Sequence, residues 1–120
     1  MPQQNSPVQS TSRTALEHLQ IGDKQTAQGD RISLTLGAAN RDPEHFSDPG
    51  RFDINRSEGR HVGFGFGIHF CLVAALARME GQAAIGAVVR RMPELQLDNG
   101  DLEWRDDPVL RGLKALPVLF

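Results

Sequence analysis

From residue 72 to residue 92 apolar side chains recur on nearly every side of a helical wheel. Leu72, Leu76, Met79 and Ala83 share one face, while Ala77, Ala84 and Val88, then Ile85 and Val89, fill much of the remainder. Helix-forming Ala, Leu, Met and Arg dominate the stretch and Pro93 stops it, so the pattern predicts a helix over residues 73–92. A helix apolar on most sides is one that neighbouring elements cover. A chain of 120 residues has little with which to cover it.

Elsewhere the period shortens to two. Ile32, Leu34 and Leu36 alternate with Ser33 and Thr35, predicting a strand at 31–36. Shorter strands are predicted at 14–16 and 19–21, set apart by Gly22-Asp23 and Gln28-Gly29-Asp30 turn signals. Residues 40–58 have few periodic apolar positions and carry Asp42-Pro43 and Asp48-Pro49-Gly50, which predicts a long ordered loop turning at each proline. After Pro93, strands are expected at 95–97, 102–104 and 116–119, with Asp98-Asn99-Gly100 as a hairpin turn between the first two. Residues 1–12 are polar and read as an irregular lead-in, which leaves 13–120 as one structured region. The class is α+β.

Composition narrows the function more than the fold. The 39% hydrophobic content suits a globular protein, and 13 basic against 15 acidic residues, a net charge of -2, give no argument for nucleic acid. Aromatic residues interleaved with basic ones, as single-strand binding needs, are missing: there is no tyrosine and one tryptophan. A single cysteine excludes an internal disulfide and fits a reducing cytosol. No apolar run reaches bilayer-spanning length, and Met1-Pro2-Gln3-Gln4-Asn5-Ser6 shows no secretory signal, so a cytoplasmic protein with no membrane partner is expected.

Candidate chemistry concentrates in Phe64-Gly65-Phe66-Gly67-Ile68-His69-Phe70-Cys71-Leu72, which runs straight into the predicted helix. A thiolate where a helix begins gains from unpaired backbone N–H groups and the positive end of the helix dipole, and nearby glycines let backbone approach a flat ligand. Those are the requirements of an axial thiolate on haem iron. Taken alone, a lone cysteine more often simply packs. Two other readings fail on spacing. Gly63, Gly65 and Gly67 follow polar residues 56–60 instead of a hydrophobic strand and lack GxGxxG spacing, so no phosphate loop is predicted. His69 and Cys71 with His18, His45 or His61 show no CxxC or HxxxH spacing, so no closed zinc site is predicted.

The spacing FxxGxHxC, preceded by His61-Val62-Gly63 and followed by Ala74-Ala75-Leu76-Ala77-Arg78, resembles the cysteine-ligand loop of the cytochrome P-450 family. The resemblance covers the C-terminal quarter to third of such enzymes. It implies that Cys71 is the proximal ligand of haem iron, that His69 hydrogen-bonds a haem propionate, and that Phe64 packs beside the sulfur, with Gly65 in the same cofactor-binding loop. Arg13, in Ser12-Arg13-Thr14-Ala15, matches an arginine that reaches a propionate in the family, a role that suits a guanidinium. The 31–36 segment of the family passes partly into a short helix.

Ala38-Ala39-Asn40-Arg41-Asp42-Pro43, Phe46, Asp48-Pro49 and Arg56 resemble the meander of bacterial members, and Pro49-Gly50-Arg51-Phe52 matches the segment whose arginine pairs with an ExxR helix. No Glu in these 120 residues has an Arg three positions later, so Arg51 is expected to lack those partners. Two residues after the cysteine the family has Gly or Ala where this chain has Val73. If the helix runs close under the porphyrin, that branched side chain overpacks it.

The family inserts one atom of molecular oxygen into an organic substrate, drawing electrons from a partner that in bacterial members is of ferredoxin or flavodoxin type. Its oxygen-activating acid and alcohol pair sits on a distal helix whose counterpart would lie upstream of Met1. The expectation is a haem-binding C-terminal part that, as 120 residues, is a remnant without monooxygenase activity. The alternative is a small interaction module that pairs its apolar helix with another protein.

Overall fold

The computed structural model describes residues 6–57, 59–98 and 100–120, and these form two compact units: residues up to 63 with 107–111, and residues 64–106 with 112–120.

In the first unit β1 (Thr11–Thr14) pairs antiparallel with β4 (Arg31–Leu34), so that Arg13 faces Ile32 across the ladder. Between them β2 (Leu19–Ile21) and β3 (Lys24–Thr26) make a hairpin in which Ile21 pairs with Lys24. The two-residue turn puts Gly22 at φ 59, the left-handed conformation that such turns demand at this position. Three features differ from the sequence expectation: the strand expected at 14–16 lies at Thr11–Thr14, where its register with β4 sets its bounds. β3 is all polar and gives no alternation to find, and the predicted 31–36 strand stops at Leu34, where Thr35 caps the single-turn helix α1 (Leu36–Ala39).

Residues 40–57 then run without helix or strand, as the prolines predicted. The carbonyl of Asp42 accepts from the amides of His45 (3.0 Å) and Phe46 (2.9 Å), and that of Asp48 accepts from the Arg51 amide at 3.0 Å. The Arg56 guanidinium gathers the next turn, donating to the carbonyls of Ser47, Asp48 (3.0 Å) and Arg51 (3.3 Å). Phe46 is buried with its ring against Gly59, where a β-carbon would collide with it. Asn40 is buried too, and its Oδ1 accepts from the Val62 amide at 2.7 Å.

The lead-in expected over 1–12 is anchored in its described part. Val8 bridges Leu110, the Gln9 amide donates to Val109 at 2.7 Å, and the Arg111 amide donates to Pro7 at 2.8 Å. Ladder bonds join main chains, so a polar stretch enters one without leaving a hydrophobic pattern. Residues 1–5 lie outside the described part.

The second unit begins with the cysteine loop, which contains a 3₁₀ turn at Gly67–His69, and continues into α2 (Ala74–Arg91). β5 (Gln96–Leu97) pairs antiparallel with β6 (Val118–Leu119), placing Gln96 opposite Leu119. The expected pairing of 95–97 with 102–104 is therefore corrected. Trp104 bridges Leu113, and the Lys114 amide donates to Glu103. A local turn signal does not specify the strand partner when a remote segment offers the same ladder; Asn99 of that signal lies outside the described residues.

The helix expected to be covered on most sides is largely open. Of its described residues Ala74 alone is buried, while Leu76, Met79, Ile85, Val88 and Val89 are exposed, and Leu72 just before it is fully exposed at 101%. Among the described residues no helix is long and apolar enough to cross a membrane.

Candidate functional site

Two left-handed glycines shape the loop that carries the only cysteine. Gly65 (φ 78) and Gly67 (φ 63) flank an extended Phe66, and the chain then tightens into the Gly67–His69 turn, where the Phe70 amide donates to Gly67 at 3.0 Å. The loop closes on itself where the Cys71 amide donates to the Phe64 carbonyl at 2.8 Å. A β-carbon on Gly65 would stand 2.8 Å from the His69 carbonyl oxygen, closer than side chains tolerate. Phe64, Gly65, His69 and Cys71 are thus brought together by backbone geometry that L side chains at 65 and 67 resist.

The cysteine sits slightly ahead of the position expected for it. α2 starts at Ala74 with Val73 as its cap, and the Cys71 carbonyl accepts from the Ala74 amide at 3.2 Å, so one turn separates the thiol from the helix proper. The thiol is free and half-buried. His69 and Phe70 are exposed, whereas Phe64 and Gly65 are half-buried.

Side chains brace the loop from its two ends. The rings of Phe64 and Phe70 meet edge to face, with centroids 6.4 Å apart and planes at 62°. The guanidinium carbon of Arg78, on α2, lies 4.8 Å from the Phe64 ring centroid. The sequence reading did not single out Arg78, yet a signal was there: a guanidinium in the opening turns of the helix that follows an aromatic-rich loop has a ring face within reach. Asn40 was likewise passed over, although a short polar side chain opening an Asn-Arg-Asp-Pro turn is a residue type that bonds nearby backbone.

Arg13 belongs to the first unit, where its guanidinium turns back on its own strand, donating to Thr11 Oγ1 (3.3 Å) and the Ser12 carbonyl (2.8 Å). Arg51 is exposed. A cleft beside α1, lined by Leu34, Leu36, Ala38, Asp42 and Pro43 and about 530 Å³ in volume, includes none of the predicted site residues.

Among the described residues no three His, Cys, Asp or Glu side chains converge on a point, so Cys71 offers a single soft ligand. That set does not close a zinc site, and it fits an iron whose other ligands arrive with a macrocycle. Gly65 and Gly67 leave bare backbone on the loop, as close approach of a flat ring requires.

A loop that folds back to offer one half-buried thiol ahead of a long helix is built like the proximal part of a cysteine-ligated haem protein. The family model "Cytochrome P450" matches residues 5–109. The chain is 48% identical over 116 residues to cytochrome P450 107B1 of Saccharopolyspora erythraea, covering 94% of this chain and 29% of that protein. It is 48% identical over 117 residues to the biotin biosynthesis cytochrome P450 of Bacillus subtilis, again 29% of the relative's length. Among solved structures, P450BioI in complex with a hexadec-9Z-enoic acid ligated acyl carrier protein superposes with a TM-score of 0.94 at 44% identity, over 99% of this chain and 31% of that one. The chain belongs to the cytochrome P450 family, and it spans under a third of the length of these relatives.

Proposed function

We propose that residues 13–120 form the cysteine-ligand side of the haem site of a bacterial-type cytochrome P450 monooxygenase. The observation that carries this reading is the loop closed by the Cys71 amide on the Phe64 carbonyl, which holds the only thiol of the chain half-buried ahead of α2. Haem, when bound, supplies the activation of molecular oxygen and the insertion of one of its atoms into an organic substrate.

The residues act as binding and orienting groups. Cys71, as thiolate, would be the residue that holds the haem iron, a soft donor whose electron donation would favour O–O cleavage. His69, exposed at the end of the 3₁₀ turn, would donate a hydrogen bond to one haem propionate. By the family resemblance Arg13, whose guanidinium donates to the Ser12 carbonyl, would bind a propionate carboxylate, a charge-assisted partner. Phe64 packs beside the sulfur and limits its access to water, while Gly65 lets the main chain lie close to the ring. A cytoplasmic setting keeps the single thiol reduced and free for iron. Electrons come from a ferredoxin- or flavodoxin-type donor.

The 120 residues by themselves are proposed to bind without turning over. The ExxR helix and the acid and alcohol pair of the family are not among them, so neither the partners of Arg51 nor the oxygen-activating pair is supplied by these residues.

The test is to add haem to the chain, reduce, and expose it to carbon monoxide. A strongly red-shifted Soret band that disappears in Cys71→Ala supports the reading. Persistence of the band in Cys71→Ala removes Cys71 from the site. No band from a poorly ordered chain supports a remnant that has lost its cofactor. A folded oligomer with no band points to the interaction module, for which the exposed Leu76, Ile85 and Val89 of α2 provide the surface.

A further inference from the structure

We propose that Arg78 is a positioning residue for the cysteine loop: its guanidinium, seated over the Phe64 ring, holds the start of the loop to α2 and thereby fixes the carbonyl on which the Cys71 amide is anchored. Three observations meet at Phe64. Its ring faces the Arg78 guanidinium at 4.8 Å, inside the range in which a cation is attracted by the ring face. The same ring meets Phe70 edge to face, next to the cysteine. Its main-chain oxygen accepts the Cys71 amide at 2.8 Å. A displacement of the Phe64 ring therefore moves the acceptor that orients the thiol-bearing residue.

Sequence spacing makes the arrangement possible. Arg78 lies just over one turn into α2, the helix that follows the loop, which puts a planar, permanently charged group over the Phe64 ring. Arg78 is exposed, so its charge stays hydrated while the ring covers one face of it. At an exposed site such a contact changes a conformational equilibrium about two- to fivefold.

The clamp can be read with no haem present, because Cys71 is the only cysteine and every alkylation event reports on it. A half-buried thiol reacts faster the more often its loop opens. The measurement is the alkylation rate of Cys71 by iodoacetamide in the 120-residue chain, with the rate of each urea-unfolded variant as reference and circular dichroism to verify α2.

Arg78→Gln is expected to alkylate about two- to fivefold faster than the parent, and Arg78→Lys to lie nearer the parent, since an ammonium retains part of the attraction. Phe64→Leu should accelerate to a similar degree, and Phe64→Leu with Arg78→Gln no further than either alone. An unchanged or slower rate in Arg78→Gln overturns the proposal, as do single effects that multiply in the double variant. Where Arg78→Gln loses α2 ellipticity, Phe64→Leu carries the test, and a parental rate there overturns it.

The role in holding iron rests on the haem-thiolate reading, but the two fail separately. Accelerated alkylation without any carbon monoxide band in the parent keeps the clamp and removes the haem reading. A parental alkylation rate with that band present removes the clamp and keeps the haem reading.

Discussion

The carbonyl oxygen of His69 lies 2.8 Å from the point where a β-carbon on Gly65 would stand. The contact is with main chain, so no side-chain rotation relieves it. Gly67 has the same left-handed backbone but open space around its missing β-carbon. Gly65→Ala is therefore expected to destabilise the loop by about 2–4 kcal/mol, backbone strain plus overpacking, and Gly67→Ala by about 1–2 kcal/mol, strain alone. Urea unfolding followed by circular dichroism checks the order; equal effects would show that the His69 carbonyl moves aside freely.

Asn40 joins two stretches of the first unit through one side chain. Its Oδ1 accepts from the Val62 amide, which fixes the orientation of the group and leaves Nδ2 buried with no acceptor among the described residues. Asn40→Ala strands the Val62 amide and should cost about 1–3 kcal/mol. Protection of the Val62 amide from hydrogen exchange should fall by the corresponding factor, and an unaltered protection would show that another acceptor replaces Asn40.

Asp107 provides the pH dependence. Its carboxylate accepts from the amides of Leu110 and Val109, both at 2.8 Å, and these bonds, Leu110 first, hold its pKa below the ordinary carboxylate value of 3.8. A folded pKa below the unfolded one means the contribution is complete above the unfolded value and is lost as pH falls through the folded one. Exchange protection at Val109 and Leu110 should be steady from neutrality down to about pH 4 and decline below it. Asp107→Ala should remove both the protection and its acid limb; an acid limb that survives the substitution assigns it to another group.

Val73 caps α2, a position where valine supplies no side-chain acceptor and glycine is the better residue. The resemblance also implies that this position lies close under the porphyrin. Val73→Gly is expected to tighten haem binding by relieving overpacking of about 1–3 kcal/mol, and Val73→Ala, which removes bulk without improving the cap, to recover most of that gain. Haem titration by Soret absorbance measures both. An affinity unchanged in both variants would rule out the steric effect, and a gain confined to glycine would trace it to the cap.

Legibility followed the range of the interactions involved. The 18-residue helix α2 was bounded to within a residue at each end, because its formers and Pro93 are local signals. Strand β2 was matched over Leu19–Ile21, but β3, with Lys24, Gln25 and Thr26, has no apolar residue to announce it and exists through its register with β2. The Val8 to Leu110 bridge left no sign in the sequence for the same reason, since it is made of backbone. Within the site, the FxxGxHxC spacing identified the loop, whereas Arg78 over Phe64 emerged only once a helix had been built beneath the ring.

The sequence by itself determined the family of this protein and placed its single cysteine, Cys71, in a loop whose Gly65 and Gly67 take the left-handed backbone that favours glycine. These are properties of residue type and near spacing, where steric limits on φ and the chemistry of a thiol act at once. The tertiary structure decided what depends on distant partners: that β5 pairs with β6 and not with residues 102–104, that Asn40 holds Val62, and that Arg78 braces Phe64. It also showed that, among the described residues, the apolar side chains of α2 are largely exposed, because hydrophobic patterning states what a helix requires, while burial depends on what else is folded against it.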